Sequence, residues 1–238
     1  KMESLAKEHS EITKNSDIVE IGKGQEGENT SKIIRKLTTR FLPWRIKYII
    51  RHIMWVVKGR PPNMPHILKA NLIRVYQRKT DYKTFIETGT FLGDMVYAQR
   101  KKFDEIISIE LNDTLYRKAV KRFKKYKHIK IIKGNSGKIL KKICKRINKS
   151  AIFWLDAHYC TKKTSGKNEK VPIHEELNAI FKNNHNHVML IDDARLFIGK
   201  GGYPAMKDLS KFIKQKDRDY NVEVKNDVIR VTPKNFLK

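Results

Sequence analysis

The chain reads as an α/β fold built on a parallel sheet, and three observations predict it. Short apolar runs rich in isoleucine recur at residues 84–86, 106–109, 129–132, 151–155 and 188–191. Each is followed by a polar cluster: Glu87, then Glu110, then Gly134-Asn135-Ser136, then Asp156-Ala157-His158, then Asp192-Asp193. Between the runs lie basic segments of helical period, such as residues 115–126 and 138–147. Strands alternating with helices imply parallel pairing through right-handed crossovers, which brings the carboxyl ends of the strands to one rim. Ligands bind at that rim in open α/β sheets, and every polar cluster named above falls on it.

Residues 1–30 are polar, contain glycine and are short of large apolar side chains, which is the composition of a flexible tail. From residue 31 the character changes: Ile33, Ile34, Leu37, Phe41, Trp44, Ile49, Ile50, Ile53, Met54, Val56 and Val57 are interleaved with Arg and Lys. Arg45, Lys47, Arg51 and His52 interrupt the apolar run, so nothing here approaches the roughly 18 apolar residues of a membrane-spanning helix. A basic amphipathic helix suits the surface of an anionic bilayer; it equally suits packing on the sheet domain or on a second subunit. Pro43 breaks or starts this helix, residues 60–65 form a linker, and residues 66–78 form a helix leading into the first strand. Residues 31–80 are thus a basic helical extension, and the sheet domain is expected from residue 81.

Residues 84–94, TFIETGTFLGD, read as strand, glycine loop and helix. Gly89 and Gly93 let the backbone approach a ligand closely, although the third glycine of the dinucleotide fingerprint is missing. Glu110 follows Glu87 by 23 residues, at the tip of the second strand. In nucleoside-binding folds an acid at that place accepts hydrogen bonds from ribose hydroxyls; its alternative is helix capping with Asn112 and Asp113. Residues 160–171 are too long and polar for an ordinary connection and suggest a lid over an acceptor. Residues 203–214 read as a helix, and residues 220–224 and 228–231 as a hairpin around Lys225-Asn226-Asp227. Such a terminal hairpin is unusual in nicotinamide-binding folds.

Composition bounds the rest. The 238 residues, 39% hydrophobic, suit one ordinary domain with an extension. Lys and Arg number 52 against 25 Asp and Glu, a formal charge of +27. That favours nucleic acid, anionic lipid or acidic glycan, but lysines spread over solvated helix faces give the same total. Cys144 and Cys160 have neither metal-site nor disulfide-framework spacing, so a reducing cytoplasm is expected, with the membrane's inner face as the alternative place.

ETGTFLGD, SIELND, KGNSG, FWLDAHY and LIDDARLF together resemble the motif series of class I S-adenosylmethionine-dependent methyltransferases, across residues 81–233. The pattern is similar to small bacterial members found with sugar- and polysaccharide-modifying enzymes, and more loosely to metal-dependent macrocin and catechol O-methyltransferases. The resemblance implies a doubly wound Rossmann-like α/β sheet in the order 3-2-1-4-5-7-6, with a methyltransferase domain at residues 81–238. It places Glu87, Thr88, Gly89, Thr90, Gly93, Glu110, Asn135, Ser136 and Asp156 around S-adenosylmethionine. Many relatives carry Asp where this chain has Asn135.

In that strand order the fourth and fifth strands are neighbours about 5 Å apart, so Asp156, Asp192 and Asp193 would converge. Clustered carboxylates repel unless a cation bridges them, and matching positions in the metal-dependent relatives hold Mg²⁺. The alternative is that Asp192 or Asp193 caps a helix while Asp156 polarises the substrate without metal. His158, two residues beyond Asp156, suits removal of a proton from a hydroxyl, or is simply an exposed loop histidine. Glu175, Glu176 and Arg195 are further rim candidates. The expected activity is methylation of an oxygen on a small or glycan-like acceptor. Set against it are a polyanion- or membrane-binding module with a vestigial cofactor site, and an RNA methyltransferase. RNA is the less favoured partner, because no appended RNA-binding module is visible.

Overall fold

The computed structural model describes residues 44–156, 171–183 and 185–235. The chain divides into two compact units, Lys1–Lys47 and Tyr48–Lys238. Of the first unit only residues 44–47, the opening of helix α1 (Trp44–Val57), are among the described residues.

The second unit runs α2 (His66–Thr80), β1 (Thr84–Thr88), α3 (Asp94–Gln99), β2 (Glu105–Glu110), α4 (Asp113–Phe123), β3 (Ile129–Lys133), α5 (Ser136–Cys144), β4 (Ala151–Leu155), α6 (Ile173–Phe181), β5 (Val188–Ile191), α7 (Met206–Lys216), β6 (Tyr220–Lys225) and β7 (Val228–Pro233). One seven-stranded sheet has the order β3-β2-β1-β4-β5-β7-β6. The first five strands pair in parallel, and β7 runs antiparallel to both β5 and β6. The expected order and terminal hairpin are therefore both present. Asn226 and Asp227, at φ +55° and +61°, make the hairpin's two-residue turn with the left-handed backbone it requires.

Both faces of the sheet are covered, which explains the unbroken apolar runs of β4 (AIFWL) and β5 (VMLI), buried along their whole length. Alternation sorts the side chains. Ile86, Ile107, Phe153 and Met189 face one core, with Leu140 of α5, Leu177 of α6 and Leu209 of α7. Phe85, Ile106, Trp154 and Leu190 face the other, with Leu68 and Ile73 of α2, Met95 of α3, Ala119 of α4 and Trp55 of α1. Helix α2 is thus part of the core, and the packed unit reaches back to Tyr48, upstream of the residue 81 start expected for the domain.

Because side chains alternate with period two, Glu87 shares its face with Phe85, Glu110 with Ile106, Asp156 with Trp154 and Asp192 with Leu190. All four acids lie at carboxyl tips on the α2 side of the sheet. Thr88 lies on the opposite face, toward α5 and α6.

Candidate active site

The rim stays ordered because hydrogen bonds of the sheet continue past the strand ends. Gly89 N–H donates to Ile109 O (2.9 Å), Gly134 N–H to Glu110 O (2.9 Å), Asp156 N–H to Thr88 O (3.3 Å) and Asp192 N–H to Leu155 O (3.0 Å). Five polar tips are thereby held in one row. Gly89 turns at φ +85°, and a Cβ there would lie 3.0 Å from the carbonyl oxygen of Asp156. Gly93 turns at φ +77°, and a Cβ there would lie 2.7 Å from the ring of Phe123. Both glycines of the loop are therefore required sterically.

Glu87 is buried at the end of β1 and accepts a hydrogen bond from Ser108 Oγ (2.6 Å), which is itself 2.6 Å from Thr90 Oγ1. Since Ser108 gives its proton to Glu87, Thr90 donates to Ser108. Burial raises the Glu87 carboxyl well above the ordinary range; Ser108 draws it down, and Asp156, Glu110 and Asp94 push it further up. Glu110 is also buried, and its two oxygens accept from Phe91 N–H (2.8 Å) and Asn112 N–H (2.7 Å). It braces the glycine loop, leaving the other lone pair of each oxygen. Asn112, not Glu110, caps α4, accepting from Leu115 N–H (3.0 Å).

Asn135 caps α5 by accepting from Lys138 N–H (3.2 Å). Ser136, the first residue of α5, faces Glu176 of α6, as does Thr88. Glu176 is wholly buried, and neither of its oxygens has a partner in full hydrogen-bonding geometry. Burial pushes its carboxyl up to about 7 against the pull of the two hydroxyls, and Asp156 and Glu175 add to the rise.

Asp156 lies half-buried beyond β4, close enough to perturb Glu87, Glu176, Asp192, His66 and Tyr203 electrostatically. Asp192 and Asp193 are buried, and Asp193 holds a left-handed backbone at φ +53°. Asp192 Oδ1 accepts from Asp193 N–H (2.8 Å), while Oδ2 lies 2.6 Å from the Nζ of Lys69. Lys69 Nζ is also 3.7 Å from Asp193 Oδ1, which receives Arg195 NH1 at 2.6 Å; Arg195 pairs in turn with Asp227. Burial pushes the Asp192 carboxyl up to about 6, Lys69 offsets part of that rise, and Asp193 and Asp156 add to it.

The expectation of a divalent ion on Asp156, Asp192 and Asp193 needs correction. Among the described residues no three His, Cys, Asp or Glu side chains are arranged to hold a metal. The side chains of Asp192 and Asp193 face an ammonium and a guanidinium instead. These residues do not fit the ion.

Three residues of this region carry no signal as site residues in the sequence. Lys69 and His66 stand one helical turn apart on α2, a helix expected only to lead into β1, and Tyr203 precedes α7. His66 is exposed at the start of α2; the partial loss of water around its ring lowers its pKa, Asp94 raises it, Lys69 lowers it and Asp156 raises it. Burial raises the half-buried Tyr203 hydroxyl, with Asp193 and Asp156 acting in the same direction. His158 and residues 160–170 of the expected lid lie outside the described residues, whereas Glu175 packs beside Gly137 of α5.

No protein-family model matches the sequence, and no curated protein matches it closely enough to count as a relative. Solved structures do match. An O-methyltransferase from Bacillus cereus in complex with SAH superposes with a TM-score of 0.54 at 10% identity, over 86% of this chain and 99% of that one. The chain has the class I methyltransferase fold. The O-methyltransferase TomG of Streptomyces achromogenes, involved in tomaymycin synthesis and solved with SAM, superposes at 0.52 with 14% identity, over 88% and 99%. The SAH-bound methyltransferase PaMTH1 of Podospora anserina gives 0.51 at 16% identity, over 92% and 100%.

Proposed function

We propose that the chain is an S-adenosylmethionine-dependent O-methyltransferase acting on a hydroxyl of a small or glycan-like acceptor. One juxtaposition carries the reading: Glu87 and Glu110 stand at adjacent strand tips beside a glycine loop, in a sheet whose last strands form an antiparallel hairpin. The fold neighbours named above hold SAM or SAH.

In this reading Glu110 receives the ribose hydroxyls with its remaining lone pairs, while its bonds to Phe91 and Asn112 keep it fixed. The backbone of residues 87–93 lies along the donor, and Asn135 and Ser136 flank its base. The donor supplies a methyl group on a sulfonium, so the acceptor oxygen forms the new C–O bond as the C–S bond breaks and its electron pair stays on sulfur. The hydroxyl proton must leave as that bond forms. We assign that proton to His66, the first residue of α2, whose lowered pKa leaves the ring neutral at pH 7 and able to take it. Asp156 then stabilises the charge that develops on the ring.

The test is transfer of labelled methyl from S-adenosylmethionine to simple sugars and oligosaccharides, with total RNA as the opposing arm. Label in the saccharide fraction, reduced about 100-fold or more by His66→Ala, is the expected result. Label confined to RNA would replace this acceptor class.

A further inference from the structure

Lys69 is buried at 8% exposure, yet it is charged and lies on a helix that the sequence marks only as a connector. A buried ammonium is costly unless it is paired, and Lys69 meets two carboxylates, Asp192 at 2.6 Å and Asp193 at 3.7 Å. Those acids follow β5 and are more than 120 positions away in the chain. The contact exists because α2 covers the sheet face on which the alternation of β5 places Asp192.

The surrounding chemistry resists a second cation. Asp193 also receives Arg195, so the two acids already face two basic groups. A divalent ion would need carboxylate oxygens at about 2.0–2.1 Å in near-octahedral array. One such oxygen, Asp192 Oδ2, is taken by Lys69, and the ion would also be repelled by both basic side chains.

We infer that Lys69 takes the place of a divalent ion at this rim. It is the resident cation that neutralises and orients Asp192 and Asp193 beside the acceptor, and methyl transfer is independent of added metal. Lys69 is a positioning residue in this scheme. The inference rests on the methyltransferase reading for the word acceptor, but the cation exchange can be tested without any acceptor.

Mn²⁺ is titrated into the full chain and the free ion followed by electron paramagnetic resonance, for wild type, Lys69→Met, Lys69→Gln, Lys69→Arg and Asp192→Asn. Wild type and Lys69→Arg should leave Mn²⁺ free. Lys69→Met and Lys69→Gln expose the paired carboxylates and should bind one Mn²⁺ at least about tenfold more tightly than wild type. Stoichiometric Mn²⁺ binding by wild type that is lost in Asp192→Asn overturns the inference, as do folded Met and Gln variants that bind no more than wild type. Should neither of those variants fold, the wild-type titration decides alone. Metal-free titration of the same samples with S-adenosylmethionine separates the two readings: absence of donor binding by wild type removes the methyltransferase, whereas the Mn²⁺ results bear only on Lys69.

Discussion

Replacing Glu176 by glutamine should stabilise the protein at alkaline pH, against the usual effect of altering a buried polar residue. Glu176 is wholly buried between α6 and the tips of the sheet, and its carboxyl is pushed up to about 7 from an ordinary 4.5. The folded state therefore favours the protonated acid. That contribution is fully present below pH 4.5, where the unfolded chain is also protonated, and is lost as pH rises through 7. With each tenfold change worth about 1.4 kcal/mol, the loss by pH 8 is about 3 kcal/mol. Glutamine keeps the shape and cannot ionise. Melting curves of wild type and Glu176→Gln at pH 5 and pH 8 should nearly coincide at the lower pH. At the higher pH the variant should melt roughly 6–12 °C above wild type, for a domain of this size. A variant no more stable than wild type at pH 8 would show that Glu176 is ionised and compensated in the fold, and would refute the reasoning from burial.

Other outcomes follow from particular contacts. Gly89→Ala forces a left-handed backbone onto alanine and sets its Cβ 3.0 Å from the Asp156 carbonyl, so it should cost about 1–2 kcal/mol in denaturant unfolding and weaken donor binding. Helix α1 has no acidic residue, and Ile49, Ile50, Ile53, Val56 and Val57 are exposed at spacings that share one face. We expect salt-sensitive flotation with anionic vesicles and none with neutral ones, abolished by Ile49→Glu with Ile53→Glu; equal flotation of the double variant would leave this face without a role in membrane contact. No described helix is long and apolar enough to cross a membrane.

The five parallel strands were legible because each is a short apolar run stopped by a polar cluster, and the hairpin because Asn226-Asp227 interrupts two alternating runs. Strand order came from the motif resemblance rather than from any local pattern. The shared face of Glu87, Glu110, Asp156 and Asp192 follows from alternation only once the strand bounds and the two cores are known; the sequence placed them on the rim. What local patterns do not carry is which helix covers that face. The pairing of Lys69 with Asp192 is a long-range contact made by a helix with ordinary periodicity, so a cluster of acids read by itself suggested a metal. The Glu110 bonds to Phe91 and Asn112 were hidden for a similar reason: they involve backbone N–H groups, which every residue but proline carries.

The most direct test of the donor site is isothermal calorimetry of S-adenosylmethionine into wild type and Glu110→Ala. One donor per chain should bind wild type, with affinity reduced tenfold or more in Glu110→Ala, where the ribose acceptor and the brace on Phe91 and Asn112 are both lost. Absence of heat from wild type with either S-adenosylmethionine or S-adenosylhomocysteine would contradict the methyltransferase assignment, and equal binding by both proteins would contradict the role given to Glu110.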